Sequence, residues 1–100
     1  MINNFLIINC IGKDDKLGLR INKDFFILEL DQGNNEKLVS KILDFLNTHN
    51  VNLDANFTVI VNQGPGSFSS IRISLSVAKG LEISKKVRSF GYKNEDLLEF

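Results

Sequence analysis

The sequence predicts an α/β domain on a mixed five-stranded sheet, with elements in the order β-β-β-α-β-α-β. Three observations carry this expectation. The first thirty residues hold short strand-like apolar runs separated by polar turns. Residues 36–49 and 67–84 change to helical spacing, and residues 57–61 and 87–90 return to strand-favouring composition. Strands that alternate with helices favour parallel pairing with the helices laid on the sheet. The pattern alone admits several topologies.

Residues 5–8 form a continuous apolar run, as suits a strand buried on both faces. Leu17, Leu19 and Ile21 alternate with Gly18 and Arg20, the period of a half-buried strand. Residues 25–30 are rich in strand-favouring side chains. The polar connections at 12–15 and 22–24 are short, which makes these three strands an antiparallel meander. From Glu36 the period lengthens: Leu38, Ile42, Phe45 and Leu46 share one helical face, with Val39 and Leu43 beside it. Asn34 or Asn35 can cap this helix and Asn50 can end it. Residues 57–61 are β-branched, as expected of a central parallel strand. A second helix over 67–84, a short strand over 87–90 and the start of a helix at 95–100 complete the chain.

Composition narrows the function. Twelve basic residues balance twelve acidic ones, so overall charge gives no case for a nucleic-acid or membrane surface. At 100 residues the chain builds one core rather than two, so residues 1–100 read as one domain. The lone Cys10 cannot form an internal disulfide and fits a reducing compartment. The N-terminal apolar run is short and lacks a basic start, and no stretch approaches a membrane span. These features lead us to expect a cytoplasmic protein.

The informative segment runs from Gly64-Pro65-Gly66-Ser67-Phe68 through Arg72 to Ala78-Lys79-Gly80-Leu81. It is a strand-to-helix turn, in which glycines permit unusual backbone geometry, Pro65 stiffens the bend and Ser67 can cap the helix. One reading is a tight, well-capped turn. The other is an anion site, with Gly64, Gly66 and Ser67 offering free amides to a phosphate. It is not a P-loop, because no Lys-Ser/Thr pair follows the glycines at the required spacing.

These residues resemble the TsaB (YeaZ) family, once described as glycoproteases, through GPGSF, the arginine and AKGL at this spacing, and through Phe90-Gly91-Tyr92 after the helix. The element order agrees from Phe5 onward, and the motif is shared with TsaD, the catalytic relative of the same fold. The resemblance implies one ribonuclease-H-like lobe of the kind found in actin-like ATPases. It further implies a non-catalytic subunit of tRNA threonylcarbamoyladenosine synthesis, bound to a TsaD-like protein, to a second copy of itself, or both, and meeting tRNA only indirectly. No cofactor is expected. Asn9, Cys10 and Ile11 stand where the family has Asp-Thr-Ser, and in actin-like enzymes that aspartate helps hold metal and phosphate. Ser70 and Ser74 replace two helix glycines, and the family's second lobe has no counterpart here. A TsaD-like metal pair would fall at Asn94 and Leu98, neither a histidine. The rival expectation is an enzymatic or nucleotide-binding lobe that uses the loop at residues 64–67.

Other side chains read as structural. Asp14, Asp15 and Asp24 sit in turns, where aspartate is expected. Cys10 reads as a small buried residue, and Lys79 as a solvated one. His49, the only histidine, falls in the last helical turn and is expected at the surface. The second helix carries apolar residues on two arcs. Phe68, Ile71, Leu75 and Ala78 form one, and Ser70, Ile73, Ser74, Val77 and Leu81 lie nearly opposite. One arc suffices for the sheet. The second meets either the rest of the chain or a partner helix, with Ser70, Ile73, Ser74, Val77 and Leu81 as the expected contact and Phe68, Ile71 and Leu75 as the alternative face.

Overall fold

A computed structural model describes residues 4–11, 15–30, 37–66 and 68–93, with the side chain of Phe68 left out. The elements are β1 (Phe5–Asn9), β2 (Lys16–Ile21), β3 (Asp24–Glu29), α1 (Leu38–Thr48), β4 (Thr58–Asn62), α2 (Phe68–Lys85) and β5 (Arg88–Tyr92). They follow the expected sequence of types. The suggested caps Asn34, Asn35 and Ser67, the turn residue Asp14 and the helix start at 95–100 lie outside the described residues.

The strands lie in the order β3-β2-β1-β4-β5. β1, β2 and β3 form the antiparallel meander, turned at Asn22, whose φ of 56° is left-handed and whose amide donates to Asn4 Oδ1 at 2.9 Å. β4 and β5 extend the sheet in parallel from β1. Register gathers the large side chains on one face. Leu6 stands opposite Leu19 and Val59, and Ile8 opposite Leu17 and Val61, all buried. α1 adds Leu38, Ile42, Phe45 and Leu46 to the same core. It closes at Asn50, left-handed at φ 55°, with the Asn50 amide donating to the Asn47 carbonyl and the Val51 amide to the Leu46 carbonyl. This is the double bond of a Schellman ending, and asparagine tolerates its backbone better than most residues.

α2 covers β4 and β5 on that same face, but it is turned differently from the sequence expectation. Ser70, Ser74 and Ala78 are its buried residues. Three small side chains at successive i+4 positions let the helix backbone lie close to the sheet, and the Ser74 hydroxyl donates to the Ser70 carbonyl at 2.9 Å. The two serines are therefore not available at the surface for a partner helix. Ile73, Val77 and Leu81 are half-buried and pack against the core, Ile71 is half-buried and Leu75 is exposed. No helix among the described residues is long and apolar enough to cross a membrane.

Candidate functional site

One side chain ties the loop after β4 to the strand ends. Asn62 Nδ2 donates to Asn9 Oδ1 at 2.7 Å, and Asn62 Oδ1 accepts from the Gly64 amide at 2.9 Å. Because Ile8 pairs with Val61, the next residues of the two parallel strands fall side by side. Asn62 is 1% exposed, so burial makes these bonds obligatory. The glycines are needed for packing. Gly64 has φ +101°, and an added Cβ there would stand 2.8 Å from Ile71 Cδ1; one on Gly66 would stand 2.6 Å from Ile11 Cβ. The loop thus offers an anion less than its sequence suggests. The Gly64 amide is already bonded and Gly66 lies against Ile11.

Cys10 follows β1 and is 1% exposed. Burial, then the Asp15 carboxylate, push its thiol up to about 12, against the opposing influence of its hydrogen bond with Ser74. A thiol that keeps its proton at neutral pH is a poor nucleophile. Asp15 is itself buried and accepts a hydrogen bond from the Ile11 amide at 3.0 Å, the turn role expected of it. His49 departs from expectation. Its ring stacks on Phe26 of β3 at 3.9 Å and meets Phe45 edge-on at 5.2 Å, and it is half-buried. Lys79 is exposed and pairs with Glu82 at 3.2 Å. Among the described residues, no cluster of three acidic, histidine or cysteine side chains could hold a metal ion. Among the same residues, every buried side-chain nitrogen and oxygen has a hydrogen-bond partner.

The outer side of the helical layer is different in kind. Val39 and Leu43 of α1 are 51% and 47% exposed. With Val77, Gly80 and Leu81 of α2 they line an open cleft of about 480 Å³. Val77 and Leu81 were expected on a contact face and do border this cleft. Ile73 sits around the helix beside Ser69, Arg72 and Ser76 in a shallower groove. Sequence reasoning placed Val39 and Leu43 at the margin of the α1 core face but did not single them out as a contact. Their position beside the Leu38–Ile42–Phe45 stripe was the available signal.

This arrangement, a meander extended by two parallel strands with both described helices on one face, superposes on part of larger proteins of known structure. The solved structure of YeaZ from Pseudomonas aeruginosa superposes with a TM-score of 0.80 at 17% identity, over 91% of this chain and 44% of that chain. A second structure, described as an uncharacterized protein with similarity to peptidase YeaZ from Pseudomonas aeruginosa, gives 0.80 and 17% over 91% and 43%. The chain therefore spans less than half the length of either. The sequence itself matches no protein-family model and no curated protein. At this identity the likeness establishes the fold.

Proposed function

We propose that this chain is a non-catalytic partner subunit: a ribonuclease-H-like lobe of TsaB type that supports a TsaD-like enzyme in tRNA threonylcarbamoyladenosine synthesis. The observation that carries the reading is the apolar cleft between α1 and α2, where the large side chains of Val39 and Leu43 are left about half exposed beside Val77 and Leu81. The partner binds there, or a second copy of this chain does when the partner is absent. Transfer chemistry belongs to the partner, and tRNA meets this chain only through it. The interior supports that division of labour: the thiol of Cys10 holds its proton, and His49 is engaged by two aromatic rings. The rival nucleotide-binding reading needs free loop amides, and that of Gly64 is bonded to Asn62.

The test is Leu43→Glu. Leu43 is 47% exposed, so the charge is tolerated in the isolated fold, whereas an unpaired carboxylate inside an interface is costly. Co-expressed with the TsaD-like protein of its host, the native chain should co-purify with it. The variant should keep its circular dichroism and bind about 100-fold more weakly, roughly 2.7 kcal/mol. A folded Leu43→Glu variant with undiminished binding would remove the cleft from the interface.

A further inference from the structure

The outer edge of β3 is a second contact surface, independent of the cleft. β3 pairs with β2 from Asp24 to Glu29 without a break, and no described strand pairs with its other side. The Leu30 amide donates to the Asp15 carbonyl at 2.9 Å. Hydrogen-bonded pairs alternate along an antiparallel ladder, so Leu28, Phe26 and Asp24 bond inward to β2. Phe25, Ile27 and Glu29 therefore turn their N–H and C=O groups outward. Such an edge is a template for another strand, and β3 has neither a proline nor a bulge to blunt it. Phe25 and Ile27 are also 50% and 63% exposed.

Register and charge decide which strand fits, and the same strand from a second copy does. Opposed residues of antiparallel strands share a face, so a continuous sheet needs odd-numbered residues against odd-numbered ones. A register centred on Phe25 sets Lys23 against Ile27 of the second copy, and one centred on Ile27 sets Phe25 against Glu29 of the second copy. Only the register centred on Phe26 sets Lys23 against Glu29 and Phe25 against Ile27, and two-fold symmetry repeats both pairs. Opposite charges and an aromatic against a β-branched residue are both favourable cross-strand pairs. Lys23 and Glu29 are exposed and make no ion pair among the described residues, so both charges are free to serve.

We propose that β3 pairs edge to edge with β3 of a second copy, antiparallel and centred on Phe26, joining two five-stranded sheets into one. The Phe25–Ile27 pairs exchange the backbone hydrogen bonds of the new ladder, and the Lys23–Glu29 pairs close its two ends. Main-chain bonds along an edge supply affinity, and the side chains select the register. One short strand buries far less than the about 800 Å² per partner of a stable interface, so the pair is weak and forms near about 1 mM chain.

Sedimentation equilibrium on the Leu43→Glu chain, which carries a charge in the cleft, tests the edge alone; dimer should be present near about 1 mM. Lys23→Glu and Glu29→Lys, each added singly, set like charges opposite one another at both ends of the pair. Each should weaken association about tenfold with circular dichroism unchanged. Mixed in equal amounts, the two variants again oppose unlike charges at both ends and should associate as tightly as the parent. A second readout needs no charge variant. Amide resonances of Phe25 and Ile27, and not that of Phe45 in α1, should shift as the parent is concentrated from about 0.05 to about 1 mM. A parent that stays monomeric at about 1 mM would overturn the inference, as would concentration-dependent shifts confined to residues outside β3. A mixture no tighter than the single variants would refute the register.

Discussion

Cys10 and Asn62 show how little of the polar interior is free for chemistry. The ordinary thiol value is 9.0, and in the fold Cys10 stands at about 12. Above about pH 9 the unfolded chain releases this proton while the folded chain retains it. The unfolded state then binds fewer protons, so stability falls as pH rises from about 9 toward 12, by at most about 1.4 kcal/mol per pH unit for this group. Tyr92, also raised by burial, acts in the same direction. Urea midpoints at pH 8 and pH 10.5 should therefore drop further for the native chain than for Cys10→Ala; parallel drops would contradict the assignment. Asn62→Ala strips a buried bond from Asn9 and one from the Gly64 amide. It should cost about 2–3 kcal/mol in urea unfolding at pH 7, and a loss below about 0.5 kcal/mol would show that the bridge contributes little.

Helix α2 departs most from the expectation of its sequence. Its apolar residues are spread around the wheel, whereas α1 concentrates Leu38, Ile42, Phe45 and Leu46 on one stripe. The sheet selects the narrow side of α2, because Ser70, Ser74 and Ala78 permit close approach and the bulkier Val77 and Leu81 then fall beside α1. Glycines in and before this helix differ in the same local way. Gly64 and Gly66 have neighbours where a Cβ would stand, while Gly80 has nothing within 4 Å. Gly80→Ala should thus stabilise the fold by about 0.5–1 kcal/mol, since it removes a helix-interior glycine without a clash. Thermal unfolding checks this; a lowered midpoint would mean that the cleft wall at Gly80 is closer to another element than the monomer shows.

At the scale of the molecule, both described helices lie on one face of a single sheet, and the apolar cleft opens between them. If the cleft closes against a second copy, mass action makes the unfolding midpoint of the native chain rise with protein concentration. Leu43→Glu should abolish that dependence, because Leu43 lines the cleft. Light scattering and thermal melts over a hundredfold concentration range would show this, and a dependence that survives Leu43→Glu would place the self-contact elsewhere.

The sequence by itself determined the order and kind of every described element and most of their bounds to within one or two residues. The apolar period of 2 in Leu17–Leu19–Ile21, the stripe through Leu38, Ile42 and Phe45, and the β-branched run before Asn62 are local signals that need no partner to be seen. The left-handed ending at Asn50 was legible for the same reason. Tertiary structure alone decided the rest. Asn9 and Asn62 are 53 residues apart and meet only through the parallel register of β1 and β4. His49 became a stacking residue because α1 ends over Phe26. The orientation of α2 followed from which side of it could come nearest the sheet, a question of volume across elements that the spacing of residues along one helix does not contain.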